Sequence, residues 1–204
     1  MNRIYLFVIS FTLFVSCETQ PKFKQEIVEQ ALKNGQQANE AYVRSLNFTK
    51  AWLTETDPVS GLIPTNLTNK TDLWEPHNSA ADNYPFMVLT AYLLDKDLYK
   101  GELLDMLNTE KKITSRIKTL PDTYSFSKQN FYSDELNMGD VIFGTSEYIK
   151  DGLIPLNEYI GKSPWHDRMM EMLDDLSEYM KEVNDLENYF TRTATIEEVN
   201  GEML

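Results

Sequence analysis

Cysteine occurs once in this 204-residue chain, at Cys17, so no internal disulfide can form. Histidine occurs twice, which excludes a His-rich metal site. Basic residues are also few: 19 Lys and Arg stand against 32 Asp and Glu, a formal net charge of −13. That balance argues against a nucleic-acid partner, because backbone affinity needs clustered cations that release phosphate counterions. No apolar run approaches the roughly 20 residues of a membrane-spanning helix; the longest, Ile4 to Val15, has 12. A Gly-rich phosphate loop and a Gly-x-Ser-x-Gly elbow are both absent, which removes nucleotide-dependent and serine-hydrolase chemistry. No cofactor is implied. Oxygen-only calcium sites at Asp57 or Asp72 stay open, although no acidic loop of EF-hand spacing appears, and no metal ligands are assigned.

What the chain does have is 42% hydrophobic and 12% aromatic content, enough for a foldable domain rather than a disordered tail. Its first residues read as an address: Arg3 is the only charge before Glu18, and the apolar run follows it. The run ends in Leu13-Phe14-Val15-Ser16-Cys17, which resembles the lipobox of bacterial lipoproteins. The resemblance implies a signal peptide over 1–16, lipidation of Cys17 and a short polar tether over 17–24, leaving 25–204 as a helical domain. Several acyl chains on Cys17, palmitate among them, would hold the protein to a membrane, since each buried CH₂ contributes about 0.8 kcal/mol. The expected location is the cell envelope, at the outer membrane.

The mature chain carries helical periodicity throughout. Apolar residues recur at spacings of three and four from Phe23 to Leu53, reading as one long or two short amphipathic helices. A Thr-, Asn- and Pro-rich loop over 54–78 precedes helices expected at Ala80 to Asp95, Glu102 to Leu120 and Leu136 to Ile149, with a turn at Leu156 to Ile160. Ser163-Pro164 suits an N-cap followed by Pro in the first turn of a helix that continues through Met169, Met172 and Leu176 to Phe190. No sustained two-residue alternation appears, so the fold class is all-α. The tetrapeptide Gly-Leu-Ile-Pro occurs at Gly61 to Pro64 and again at Gly152 to Pro155, and reads in both places as a helix stop.

Three segments, Asp57 to Pro64, Trp74 to Phe86 and Gly144 to Pro155, together resemble glycan-processing proteins built on an (α/α) toroid, found among surface lipoproteins of polysaccharide-degrading bacteria. The resemblance implies stacked helical hairpins and an oligosaccharide or polysaccharide partner. Such toroids need about a dozen helices, so the chain resembles their N-terminal half, with an apolar C-terminal helix that a protein partner would cover. It leaves open whether the activity is that of a glycoside hydrolase, a polysaccharide lyase or neither.

Trp74 to Tyr84 gathers Trp, Glu, His, Asn, Asp and Tyr at a loop-to-helix junction. Functionally, Trp74 would stack on a sugar ring, His77 and Asn78 would hold hydroxyls or an acidic group, and Asp82 would act as general acid or base. Structurally, Asn78 or Ser79 would be a helix N-cap, Asp82 a first-turn acid and Trp74 a core lid. Glu147 lies seven residues after Asp140 and four before Asp151, so the three would share a helix face. Paired carboxylates are what sugar hydrolysis needs, although a solvated acidic face has the same spacing. The catalytic candidates are His77, Asp82 and Glu147, with Trp74, Asn78, Tyr84 and Asp140 for substrate. The rival reading is a non-catalytic helical lipoprotein, either a partner-binding module or an inactive toroid relative.

Overall fold

The structure is a computed structural model that describes residues 22–184, with side chains over 24–179. Cys17, the segment 1–16 and the C-terminal positions Leu186 and Phe190 lie outside the described residues. The chain divides into two compact units after Ala41. The first is represented by the opening of α1 (Lys22–Leu53), one continuous helix that begins three residues inside the expected tether. Ile27, Val28 and Leu32 are exposed along it.

The second unit holds the core and is mostly helical. In order it contains the end of α1, β1 (Leu73–Trp74), a π-helix π1 (Pro76–Asn83), α2 (Tyr84–Leu94), α3 (Lys96–Lys100) and α4 (Glu102–Ile113). Four short strands follow, β2 (Ser115–Ile117), β3 (Leu120–Pro121), β4 (Tyr124–Ser125) and β5 (Asn130–Phe131). Then come α5 (Met138–Glu147), a second π-helix π2 (Tyr148–Leu153), α6 (Ile154–Ile160) and α7 (Pro164–Asn184). Strands β1, β4 and β5 form a small antiparallel sheet, and β2 pairs with β3. None of the described helices is long and apolar enough to cross a membrane.

The mostly helical content agrees with the all-α expectation, to which the short strands are an addition. The helix expected to run to Leu120 ends at Ile113, with Thr114 as its C-cap donating both its N–H at 3.0 Å and its hydroxyl at 2.9 Å to the Glu110 carbonyl. The chain then folds into the β2–β3 hairpin, with Lys118 at φ 51° in its turn. Asp175 of α7 holds that turn by accepting from the Thr119 N–H at 2.9 Å and its hydroxyl at 2.5 Å. Arg116 donates to Asp122 at 2.8 Å and to the carbonyls of Ser133 and Asp134. Long-range partners of this kind outweigh local helical periodicity.

The two π-helices share a cause. In π1 the Tyr84 N–H donates to the Ser79 carbonyl, and in π2 the Ile154 N–H donates to the Ile149 carbonyl, each five residues back. In both, the next residue is proline, Pro85 or Pro155, which has no N–H and whose ring would clash with the carbonyl four residues back. Widening the turn just ahead of the proline accommodates it without ending the helix. The second Gly-Leu-Ile-Pro is therefore not a stop: it runs through π2 into α6. The first copy is a turn, with Gly61 at φ 70° and its N–H donating to the Asp57 carbonyl at 2.7 Å.

π1 and π2 pack directly on each other. Two glycines permit the approach: a Cβ on Gly152 would sit 2.9 Å from Pro85 Cγ and 3.1 Å from the Ala80 carbonyl, and one on Gly144 would sit 2.7 Å from Pro76 Cγ. Around this seam lie the buried side chains Met87 and Val88 of α2, Leu103 of α4, Val141 of α5 and Trp165 of α7. The expected N-cap of α7 forms, with the His166 N–H donating to Ser163 Oγ at 3.3 Å.

Candidate functional site

The start of π1 is built around Glu75. Its carboxylate is buried and receives Lys70 Nζ at 2.8 and 3.0 Å and Asn78 Nδ2 at 2.8 Å, while its N–H donates to Ser79 Oγ at 3.1 Å. Burial opposes ionisation here, but the hydrogen bonds and charge of Lys70, with Asn78, outweigh it and hold the carboxyl below its ordinary value. His77 Nε2 lies 3.9 Å from the same carboxylate, and its ring sits 5.5 Å from that of Phe143 in α5. Glu75 lies inside the Trp74 to Tyr84 segment and adds a site residue to those expected from the sequence. Its signal is the spacing of three to Asn78.

At the other end of π1, Asp82 is exposed and its pKa is raised, first by the desolvation it does suffer and then by the negative charge of Asp151 on π2, with His77 acting in the opposite sense. His77 and Asp82 are five residues apart, close to one turn of the wide π-helix, so they project from similar sides of it. Glu147, the last residue of α5, pairs with Lys150, which also lies 3.6 Å from Asp151. The seam thus carries a run of ionisable side chains, His77 and Asp82 on π1, Lys150 and Asp151 on π2, and Glu147 at the end of α5.

Two of the substrate-binding expectations are corrected by position. Trp74 is 2% exposed in the core, paired in the sheet with Tyr124, so neither ring face can meet a sugar. Tyr84 is buried too: its hydroxyl donates to the Leu103 carbonyl at 2.6 Å and accepts from Trp165 Nε1 at 2.9 Å, leaving it no part in the surface. Asp140 sits exposed in the first turn of α5, on the same helix face as Glu147 and about 10 Å along it, as the spacing of seven implies. Asn78 is at the site, although its amide is engaged by Glu75. The N-cap alternative for Asn78 and Ser79 does not form, since the helix starts earlier, at Pro76.

Beside Asp82 an open groove of about 470 Å³ is lined by Arg44, Ser45, Phe48, Asp82, Asn83 and Phe86. Phe48 and Phe86 meet edge to face at 5.6 Å and are 41% and 47% exposed. Asp57 and Asp72 both serve loops: Asp57 accepts from Ser60 N–H and Oγ, and Asp72 from Ser125 Oγ, Ser127 N–H and Ser127 Oγ. Among the described residues no group of three or more His, Cys, Asp and Glu side chains is placed to hold a metal ion.

A buried ion pair lies deeper, unforeseen from sequence. Arg168 of α7 forks onto Glu110 of α4, Nε to Oε2 at 3.1 Å and Nη2 to Oε1 at 2.6 Å, and its Nη1 donates to the Thr119 carbonyl at 2.7 Å. Its burial marks it as structural, tying α7 to α4 and the hairpin. Comparison of the chain with protein-family models, curated proteins and solved structures gives no match.

Proposed function

We propose that the chain is a lipid-anchored cell-envelope protein of a polysaccharide-utilisation system, and that the π1–π2 seam binds oligosaccharide. The observation that carries the reading is the convergence of His77, Asp82, Asp151 and Glu147 on one seam beside an open groove with aromatic walls. Sugars are recognised by carboxylates, amides and imidazoles that hold hydroxyls, next to rings that cover their C–H faces. The (α/α)-toroid resemblance supports the same reading, with the π1–α2 and π2–α6 segments as two of its helical repeats. The lipobox-like end at Cys17 supports the anchor.

If the site is catalytic, Asp82 is the proton donor, because its environment favours the protonated form, and Glu147 the second carboxylate of a hydrolase. One observation favours the binding reading over the catalytic one: Lys150 neutralises Glu147 and bridges to Asp151, which blunts a free nucleophile or base. Calorimetric titration of the full chain in detergent with neutral and uronic oligosaccharides tests the proposal. Saturable heat that is lost in His77→Ala and Asp82→Asn supports it, and bond cleavage assayed in the same mixtures separates enzyme from binder. No heat with any oligosaccharide favours the non-catalytic, partner-binding lipoprotein.

A further inference from the structure

We infer that the groove walled by Phe48 and Phe86 is a binding subsite for neutral oligosaccharide chains, supplying the aromatic platform that the buried Trp74 cannot. The inference rests on the glycan reading of the π1–π2 seam and names the substrate class for it. Phe48 and Phe86 stand 41% and 47% exposed on helical segments and pack on each other, so part of each ring remains open to solvent. They lie edge to face at 5.6 Å, so they present a ring face and a ring edge to the same space of about 470 Å³. The rest of the lining is polar: Ser45, Asn83 and Asp82, with Arg44 on the α1 side. A hexose ring has this division, with C–H groups on its faces and hydroxyls around its rim. A flat aromatic ligand would leave the polar rim unpaired, and an aliphatic chain would desolvate it without return.

Charge selects among sugars. Asp82 belongs both to the groove and to the seam, where burial first and the charge of Asp151 second disfavour its ionisation, and Arg44, the cation of the lining, already has a partner. A uronic-acid chain would add a further carboxylate to that cluster in a protein of net charge −13. A neutral chain meets no such penalty, and an Asp82 carboxyl in either protonation state can bond a hydroxyl.

Trp52 reports on the groove without standing in it, because its ring is 6.3 Å from Phe48, whereas Trp74 and Trp165 are buried at 2% and 1% exposure. The test is tryptophan emission of the full chain in detergent, titrated with neutral hexasaccharides (β-1,4-gluco-, β-1,4-xylo-, β-1,4-manno- and α-1,4-gluco-) and with a hexagalacturonate. The expected result is a saturable change with at least one neutral chain, absent in Trp52→Phe, with affinity lowered on the order of tenfold in Phe86→Ala and restored in Phe86→Trp. Calorimetric binding that persists at full strength in Phe86→Ala and Phe48→Ala overturns the subsite while leaving a glycan site at His77 and Asp82 standing. Binding of hexagalacturonate alone overturns the neutral class. Binding of none of these chains overturns the subsite and the glycan reading together. Should Phe86→Ala lose its cooperative melt, the Trp52 change in the unmodified chain and its survival in Phe86→Trp decide the question.

Discussion

Arg168 carries its charge into the core, where burial opposes ionisation and the Glu110 carboxylate more than compensates, raising its pKa further. Removing one partner leaves the other buried and uncompensated. Glu110→Gln is therefore expected to lose about 3–5 kcal/mol in denaturant melts, while a double Met replacement of Glu110 and Arg168 recovers most of that. Asp82 sits at the other extreme. Its folded pKa is raised, so its ionised form costs stability above the ordinary Asp range, and the cost disappears as pH falls through the raised value. Asp82→Asn should accordingly melt at or above the unmodified chain at pH about 7, with the gap closing near pH about 3, where both forms are uncharged. An Asp82→Asn melt below that of the unmodified chain at neutral pH would contradict the assignment. At this scale the sequence showed which residues were unusual but not which way they face. Trp74 and His77 are three apart in one polar-aromatic stretch, yet the first enters the core through the β1–β4 pairing and the second stays half-exposed. Nothing in the local pattern distinguishes them, because the partner strand is some 50 residues away.

The elements that matter most here are the π-helices, whose existence follows from proline and whose closeness follows from glycine. Within an ordinary helix a Gly→Ala change stabilises by about 0.5–1 kcal/mol. Gly35 of α1 has nothing within 4 Å of a would-be Cβ, so Gly35→Ala should raise the melting temperature. Gly152→Ala should do the reverse, by about 1–3 kcal/mol, because the added methyl meets the Pro85 ring and the Ala80 backbone, neither of which can swing away. Paired thermal melts of the two variants check the sign. Helix existence was readable from three- and four-residue spacing, and so was the Ser163 cap of α7. The π-turns were not, since the expected helix at Ala80 to Asp95 already contained Pro85 and its widening lies in hydrogen bonds rather than in periodicity. The β2–β3 hairpin escaped for a similar reason: Ile113 and Ile117 keep helical spacing, and Arg168, Glu171 and Asp175, far along the chain, hold Thr119 in a turn.

At the scale of the whole molecule, the proposed lipid anchor and the proposed sugar-binding surface are tested separately. A single Cys at the end of a 12-residue apolar run predicts that Cys17→Ala releases the protein to the soluble fraction, measured by fractionation and blotting; retention at the membrane would contradict the lipid anchor. The acidic surface is consistent with a partner recognised by hydroxyls rather than by charge. The central claim is that neutral oligosaccharide is held along one continuous strip from His77 through Asp82 to Phe86. The most direct measurement is amide chemical-shift mapping of the ¹⁵N-labelled full chain in detergent during titration with the neutral hexasaccharides. The account predicts saturable shifts at Ser45, His77, Asp82, Asn83 and Phe86, with residues of the β4–β5 hairpin unmoved. Shifts scattered over the surface, or none at saturating sugar, would contradict it.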